Sequence, residues 1–210
     1  NLKSDDDKAI FRKLLIKADI LVENFRPGTM EKLGFGWETL KNEYPNLIYA
    51  SASGFGPSGP DTYRPAYDMV VQGMGGIMSV TGHPGNPPTR IGMSIGDIGS
   101  GLYATIGVQA ALYHRQLTGE ATKVDIGMLD CQVALLENAV MRYHVSGTPP
   151  GPLGARHPSI TPFEAYQTQD GYIIISAGND SLFAKLCEAL EKSEWSTDPN
   201  FTTHDLRNQN

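Results

Sequence analysis

The sequence predicts an α/β fold: part of an open, Rossmann-like parallel-sheet domain over residues 1–146, then a linker and the start of a smaller α+β domain over 147–210. Three observations carry this reading. Helical and strand patterns alternate as far as residue 127, the order that sets parallel strands side by side with helices between them. Four prolines crowd into G-T-P-P-G-P-L-G-A-R-H-P at 147–158, which reads as a linker. Beyond it the periodicity changes, and two short apolar runs flank T-Q-D-G, a hairpin signal.

Ser4 ahead of Asp5, Asp6 and Asp7 marks a helix start with negative charge in its first turn. Ile10, Phe11, Leu14, Leu15 and Ala18 form its apolar stripe. Residues 20–23 read as a short apolar strand, which Asn24-Phe25-Arg26-Pro27-Gly28 ends with a Pro-Gly turn. Such a strand-end loop is where open α/β sheets place ligands. An amphipathic stretch at 30–33 restarts at Trp37 and stops before Pro45, and 47–51 is the next strand. Residues 53–67, S-G-F-G-P-S-G-P-D-T-Y-R-P-A-Y, hold too much Gly and Pro for regular structure, and a connection this long inside a domain is a functional candidate. A helical pattern resumes over 68–78, weakened by Gly73, Gly75 and Gly76, and 81–90 is a connection. Residues 101–119 read as a helix stopped by Gly119, 121–127 as a strand, and 128–143 as one long helix with Leu129, Val133, Leu136 and Val140 on its stripe. In the second domain, 163–167 and 172–176 form the hairpin with Asp170-Gly171 at its tip, and 181–190 is helical.

At 210 residues, 40% hydrophobic and 19% charged, the chain can build one or two cores. Asn1 opens directly onto a charged helical segment and no apolar run approaches a membrane span, so the chain reads as a piece of a longer protein without signal peptide or membrane helix. Cys131 and Cys187 lie in helical patterns rather than metal-ligand pairs. They read as reduced, packed thiols of the cytoplasm or another reducing soluble compartment such as the mitochondrial matrix. Net charge is −6, and between Tyr44 and His114 the only Lys or Arg residues are Arg64 and Arg90. That leaves no basic stripe for nucleic acid, so any anionic ligand must be held by a few local donors.

The richest stretch is 91–101, I-G-M-S-I-G-D-I-G-S-G, where Asp97 sits among glycines near the expected start of the 101–119 helix. Asp97 reads either as a plain N-cap or as a functional carboxylate, since Gly96, Gly99 and Gly101 clear space that a ligand or another backbone can use. The glycine order is wrong for a dinucleotide fingerprint, and no Walker lysine follows any glycine loop. G-M-S-I-G around Ser94 matches a nucleophile elbow in letters, but Pro87 and Pro88 displace the required strand. No H-E-x-x-H occurs and the five histidines are scattered, so no metal site is expected. His114, His144 and His204 read as surface residues, while His83 and His157, in loops, keep a functional reading.

E-N-F-R-P-G-T-M-E-K-L-G-F at 23–35, then Y-A-S-A-S-G-F-G-P-S-G-P, P-A-Y-D, G-D-I-G-S-G and D-G-Y-I-I-I-S-A-G-N-D together resemble the family III CoA-transferases. That family includes formyl-CoA transferase and carnitine CoA-transferase. The resemblance runs along almost the whole chain in matching order and spacing. It implies that Asp97 is the covalent nucleophile and that residues 1–146 are a CoA-binding domain. It also implies that coenzyme A is a co-substrate held by Asn24, Phe25 and Arg26, with Lys32, Tyr67, Asp68, Gly96 and Gly99 as further contacts. It further implies a longer protein, of which this is a central fragment, forming an interlocked homodimer. The partners implied are an acyl-CoA and a carboxylic acid. The stretches P-S-I-T-P-F-E-A-Y and A-G-N-D lean toward succinyl- or glutaryl-type acids.

The chemistry suits that assignment, because a carboxylate that carries CoA between two other carboxylates exchanges anhydride and thioester almost reversibly. Backbone N–H groups freed by Gly96, Gly99 and the helix start are the expected oxyanion donors. The α-methylacyl-CoA racemases are the alternative in the same superfamily. They pair the Asp with a His where this chain has Tyr67, and place a Glu near Asn179. A second alternative is a non-catalytic CoA-binding or dimerisation fragment.

Overall fold

The computed structural model describes residues 1–210, which divide into two compact units, Asn1–Val80 with Pro88–Pro150 and Thr81–Pro87 with Gly151–Asn210. In the first unit, α1 (Asp5–Leu15) leads into β1 (Ile20–Glu23), then α2 (Thr29–Leu33), α3 (Trp37–Glu43) and β2 (Ile48–Ser53). The acidic first turn of α1 opposes its dipole, as expected, but the Ser4 side chain makes no capping bond. Only part of the expected stripe turns inward: Leu15 is buried, with Phe11 and Ala18 beside it, while Ile10 and Leu14 face outward. Leu15, Met30, Phe35, Leu40, Leu47 and Tyr49 form the core under β1 and β2, with Phe11 edge-on to Phe35 at 4.8 Å.

The helical pattern at 68–78 is two elements, α4 (Asp68–Met74) and α5 (Ile77–Val80), parted at Gly76, whose φ of 89° suits glycine. Next come α6 (Ile95–Thr118) and β3 (Lys123–Gly127). The 128–143 pattern also breaks, into α7 (Met128–Ala134) and α8 (Ala139–Ser146), with Glu137 in the left-handed region at φ 55°. The three strands form one parallel sheet in the order β1-β2-β3, with Glu23 beside Ser51 and Ser51 beside Asp125. Their carboxyl ends therefore open on the same edge. At the opposite edge, Arg115 in the last turn of α6 reaches the Asn46 carbonyl and pairs with Asp19 at 2.9 Å, which anchors α6 to the segments entering β1 and β2.

The second unit holds the antiparallel hairpin β4 (Phe163–Gln167) and β5 (Tyr172–Ser176), then α9 (Asp180–Ala189), a 3-10 turn (Ser193–Thr197) and α10 (His204–Gln209). Asn179 caps α9 by accepting the Leu182 N–H at 2.9 Å. His157 is a turn residue here: its Nδ1 accepts the Ser159 and Ile160 N–H groups and its ring stacks on Phe163. Residues 81–87, expected as a connection inside the first domain, belong to this unit, where the Gly82 carbonyl accepts the Gly154 N–H at 2.8 Å. Arg207 is buried beside Phe183 and donates to Asp180, Phe201 and Thr161. No helix is long and apolar enough to cross a membrane.

Candidate active site

A cleft of about 750 Å³ opens in the first unit at the carboxyl ends of the strands, the position at which open parallel sheets bind ligands. The turn after β1 contributes Asn24, Phe25 and Arg26, the end of β2 contributes Ser53, the loop into α4 contributes Arg64 and Tyr67, and α4 opens with Asp68. The start of α6 adds Asp97, Ser100 and Gly101, and Met128 follows β3. Both basic residues of the cation-poor stretch, Arg64 and Arg90, line this same cleft.

The helix carrying Asp97 begins earlier than its periodicity suggests, because the glycine-rich stretch before residue 101 is already helical from Ile95. Asp97 is therefore the third residue of α6 and not its N-cap; that place is taken by Ser94, whose side chain caps nothing. Ser94 follows a turn rather than a strand, so the elbow geometry is absent. An acidic side chain in the first turn of a 24-residue helix is favoured by the helix dipole.

The cleft's two carboxylates differ sharply. Asp68 Oδ1 accepts the Gly96 N–H at 2.8 Å and its Oδ2 accepts Gln72 Nε2 at 2.8 Å. Asp97 is exposed, and no side chain or backbone group of the chain bonds to its carboxylate. Gln72, fully buried, also accepts the Ile91 N–H at 2.9 Å. Arg90 steadies the same loop by donating to the Ile91 and Gly92 carbonyls.

A model of CoA-transferase family III matches residues 1–210. The chain belongs to that family. It is 46% identical over 207 residues to the acetyl-CoA:oxalate CoA-transferase of Acetobacter aceti, covering 98% of this chain and 53% of that one. It is 40% identical over 207 residues to the succinate–glutarate CoA-transferase of Agrobacterium fabrum, covering 99% and 52%. The chain thus spans about half the length of the curated relatives it matches. Among solved structures it is similar to a CAIB/BAIF family protein from Brucella suis, with a TM-score of 0.85 and 39% identity over 100% of this chain and 56% of that one.

In this family III chain, Asn24, Phe25, Arg26, Tyr67, Asp68 and Asp97 come together in one cleft, and three of the expected contacts do not join them. Lys32 stands exposed on α2, outside the cleft. Gly96 and Gly99 are buried between helices: a Cβ on Gly96 would meet Val71 Cγ2 at 2.7 Å, and one on Gly99 would meet Leu135 Cδ1 at 2.6 Å. They admit neighbouring helices rather than a ligand, and the Gly96 N–H is already committed to Asp68. Among Gly96, Gly99 and Gly101, Gly101 alone is open, with nothing within 4 Å of its Cβ position, and it lines the cleft. Asp68, expected as a cofactor contact, has both oxygens engaged within the fold, Oδ1 by the Gly96 N–H of α6 and Oδ2 by Gln72 of its own helix. Gln72 escaped the sequence reading, although its position four residues after Asp68 on a helix was the available signal.

Proposed function

We propose that the protein containing this chain transfers coenzyme A from an acyl-CoA to a free carboxylic acid, with Asp97 as covalent carrier. The contrast between the two cleft carboxylates carries this reading: Asp68 is bound on both oxygens, while Asp97 is exposed and unengaged at the head of α6. An Asp97 oxygen attacks the thioester carbonyl, the C–S bond breaks, and CoA leaves as thiolate from a mixed anhydride. The thiolate then attacks the Asp97 carbonyl, releasing the donor's acid as its carboxylate and leaving an aspartyl-CoA thioester. The acceptor carboxylate attacks that thioester, expels the thiolate and forms a second anhydride. Thiolate attack on the acceptor's carbonyl gives the product acyl-CoA and frees Asp97. Atoms and charge balance without a proton, water or oxidant, so no general base is required.

With the Gly96 N–H engaged, stabilisation of the tetrahedral oxyanions falls to the positive end of α6 and to the cleft arginines. Arg26, Arg64 and Arg90 supply positive charge for substrate carboxylates and phosphates. Small dicarboxylic acids are the acceptors that best suit this charge and the relatives named for oxalate and glutarate. Ile98, Leu102, Ile106, Tyr113 and Leu117 are exposed along α6, an apolar face of the kind that a second subunit covers, which supports a homodimer. Two free, buried cysteines suit a reducing compartment.

Trapping tests the carrier. With the full-length protein, donor acyl-CoA and hydroxylamine, the peptide containing Asp97 should carry a hydroxamate at that residue, and Asp97→Ala should show neither label nor transfer. Label on Asp68 or Asp125, or near-normal transfer by Asp97→Ala, would refute the assignment.

A further inference from the structure

We infer that Asp68, acting with Gln72, is the positioning residue that sets where Asp97 stands, an inference that rests on Asp97 being the carrier. The argument is one of hydrogen-bond polarity. Gln72 is wholly buried, and its amide has no freedom of orientation: Oε1 accepts the Ile91 N–H at 2.9 Å, while Nε2 faces the Met93 carbonyl at 3.4 Å. A backbone N–H can only donate and a carbonyl can only accept. Nε2 must therefore point at Asp68, whose Oδ2 receives it at 2.8 Å. The other oxygen receives the Gly96 N–H at 2.8 Å. Asp68 thus needs two acceptors and no donor, a condition met by an ionised carboxylate and by no isosteric amide.

What this chain of bonds holds is the loop before α6 and the residue directly preceding Asp97. Gly96 has no side chain because a Cβ there would stand 3.0 Å from Asp68 Oδ1 and 2.7 Å from Val71 Cγ2. The first turn of α6 is pressed onto α4 and tied there by Asp68. At its far end the same helix is held by Arg115. With both ends fixed, the Asp97 carboxylate projects from a rigid mount into the cleft, the kind of placement on which covalent catalysis depends, since a displacement of about 1 Å can lower a rate about 100-fold.

The test uses the full-length protein, steady-state transfer and a thermal melt. Asp68→Asn turns one acceptor into a donor against Gln72, and should lower kcat about 100-fold while KM for acyl-CoA changes less than about threefold. The double variant Asp68→Asn with Gln72→Glu reverses the donor and acceptor of the 2.8 Å bond and keeps the net charge, at the cost of the longer 3.4 Å contact to the Met93 carbonyl, so rescue is expected to be partial. It should regain at least about tenfold in kcat over the single variant. A purely structural role would lower the melting temperature of Asp68→Asn and leave kcat of the folded protein near wild type. That outcome overturns the inference, as does a double variant that folds no better and works no better than the single one. If Asp68→Asn does not fold, the double variant must fold and transfer; its failure to do so also overturns it. Hydroxamate trapping on wild type separates the two claims. Label on Asp97 with unchanged kcat in Asp68→Asn sinks only the positioning role, whereas no label on Asp97 sinks the carrier itself.

Discussion

Two aspartates share one cleft and differ in hydrogen bonding, Asp68 held on both oxygens and Asp97, the proposed carrier, on neither, and local surroundings set the reactivity of the cysteines as well. Burial pushes the Cys131 thiol up, and the Cys187 thiol is raised chiefly by burial as well. Less thiolate forms at neutral pH, so both should resist alkylation by iodoacetamide in the native protein and react once it is unfolded. Tyr67 bears on the rival chemistry. Its phenol lies exposed at the cleft, where racemisation would require a second acid/base group matched to neutral pH. Transfer should therefore proceed without solvent deuterium entering the α-carbon of a 2-methylacyl-CoA, and mass spectrometry of the recovered thioester reads this. Incorporation as fast as transfer would favour the racemase. Arg90 keeps donors beyond the two spent on its own loop, so Arg90→Gln should raise KM for a dicarboxylic acceptor about tenfold or more.

At the level of elements, α6 organises the site, and its glycines separate cleanly into packing and access. Gly99→Ala forces a methyl to 2.6 Å from Leu135 Cδ1. Overpacking of that kind costs about 1–3 kcal/mol, of which roughly 1 kcal/mol is returned by alanine's better helix propensity. The net expectation is a loss measurable by denaturant unfolding. Gly101→Ala meets nothing within 4 Å and should gain up to about 1 kcal/mol. It should also lower kcat/KM, because the new methyl projects at the cleft lining. The breaks at Gly76 and at Glu137 stayed hidden in the sequence for a definite reason. The apolar spacing continues on both sides of each break, and periodicity reports which residues face inward rather than whether the backbone between them is continuous.

At the scale of the whole molecule, each compact unit carries one tryptophan, Trp37 in the first and Trp195 in the second. A Trp37→Phe variant thus makes fluorescence a reporter of the second unit alone. That unit hangs on Arg207, whose guanidinium bonds to Thr161, Phe201 and Asp180 and lies 4.6 Å from the Phe183 ring centre. Arg207→Met should destabilise it by about 2–4 kcal/mol, since carbonyl acceptors lose their donor in a buried setting. The hydrogen bond from Arg207 holds the Asp180 carboxyl below the usual aspartate range. A depressed carboxylate stabilises the fold above its unfolded value, and the contribution fades as pH falls through the folded one. Trp195 fluorescence should therefore show stability of the second unit declining on the acid side of the ordinary aspartate range, and Asp180→Asn should flatten that decline.

The sequence by itself determined the α/β class, the parallel order of the strands, the hairpin of the second unit and, through its motifs, the family. All of these are written in local periodicity, turn residues and short motifs. It also showed that Arg64 and Arg90 are the only cations in a long stretch, although not that one cleft gathers both. Tertiary structure alone decided which aspartate is braced and which is free. The bonds responsible join Asp68 to Gly96 across 28 residues and Gln72 to Ile91 across 19, distances at which no local pattern constrains a partner. It decided likewise that Gly96 and Gly99 make room for helices and Gly101 for the cleft, because a glycine's purpose depends on what would touch its missing side chain. Only the folded chain brings those neighbours into place.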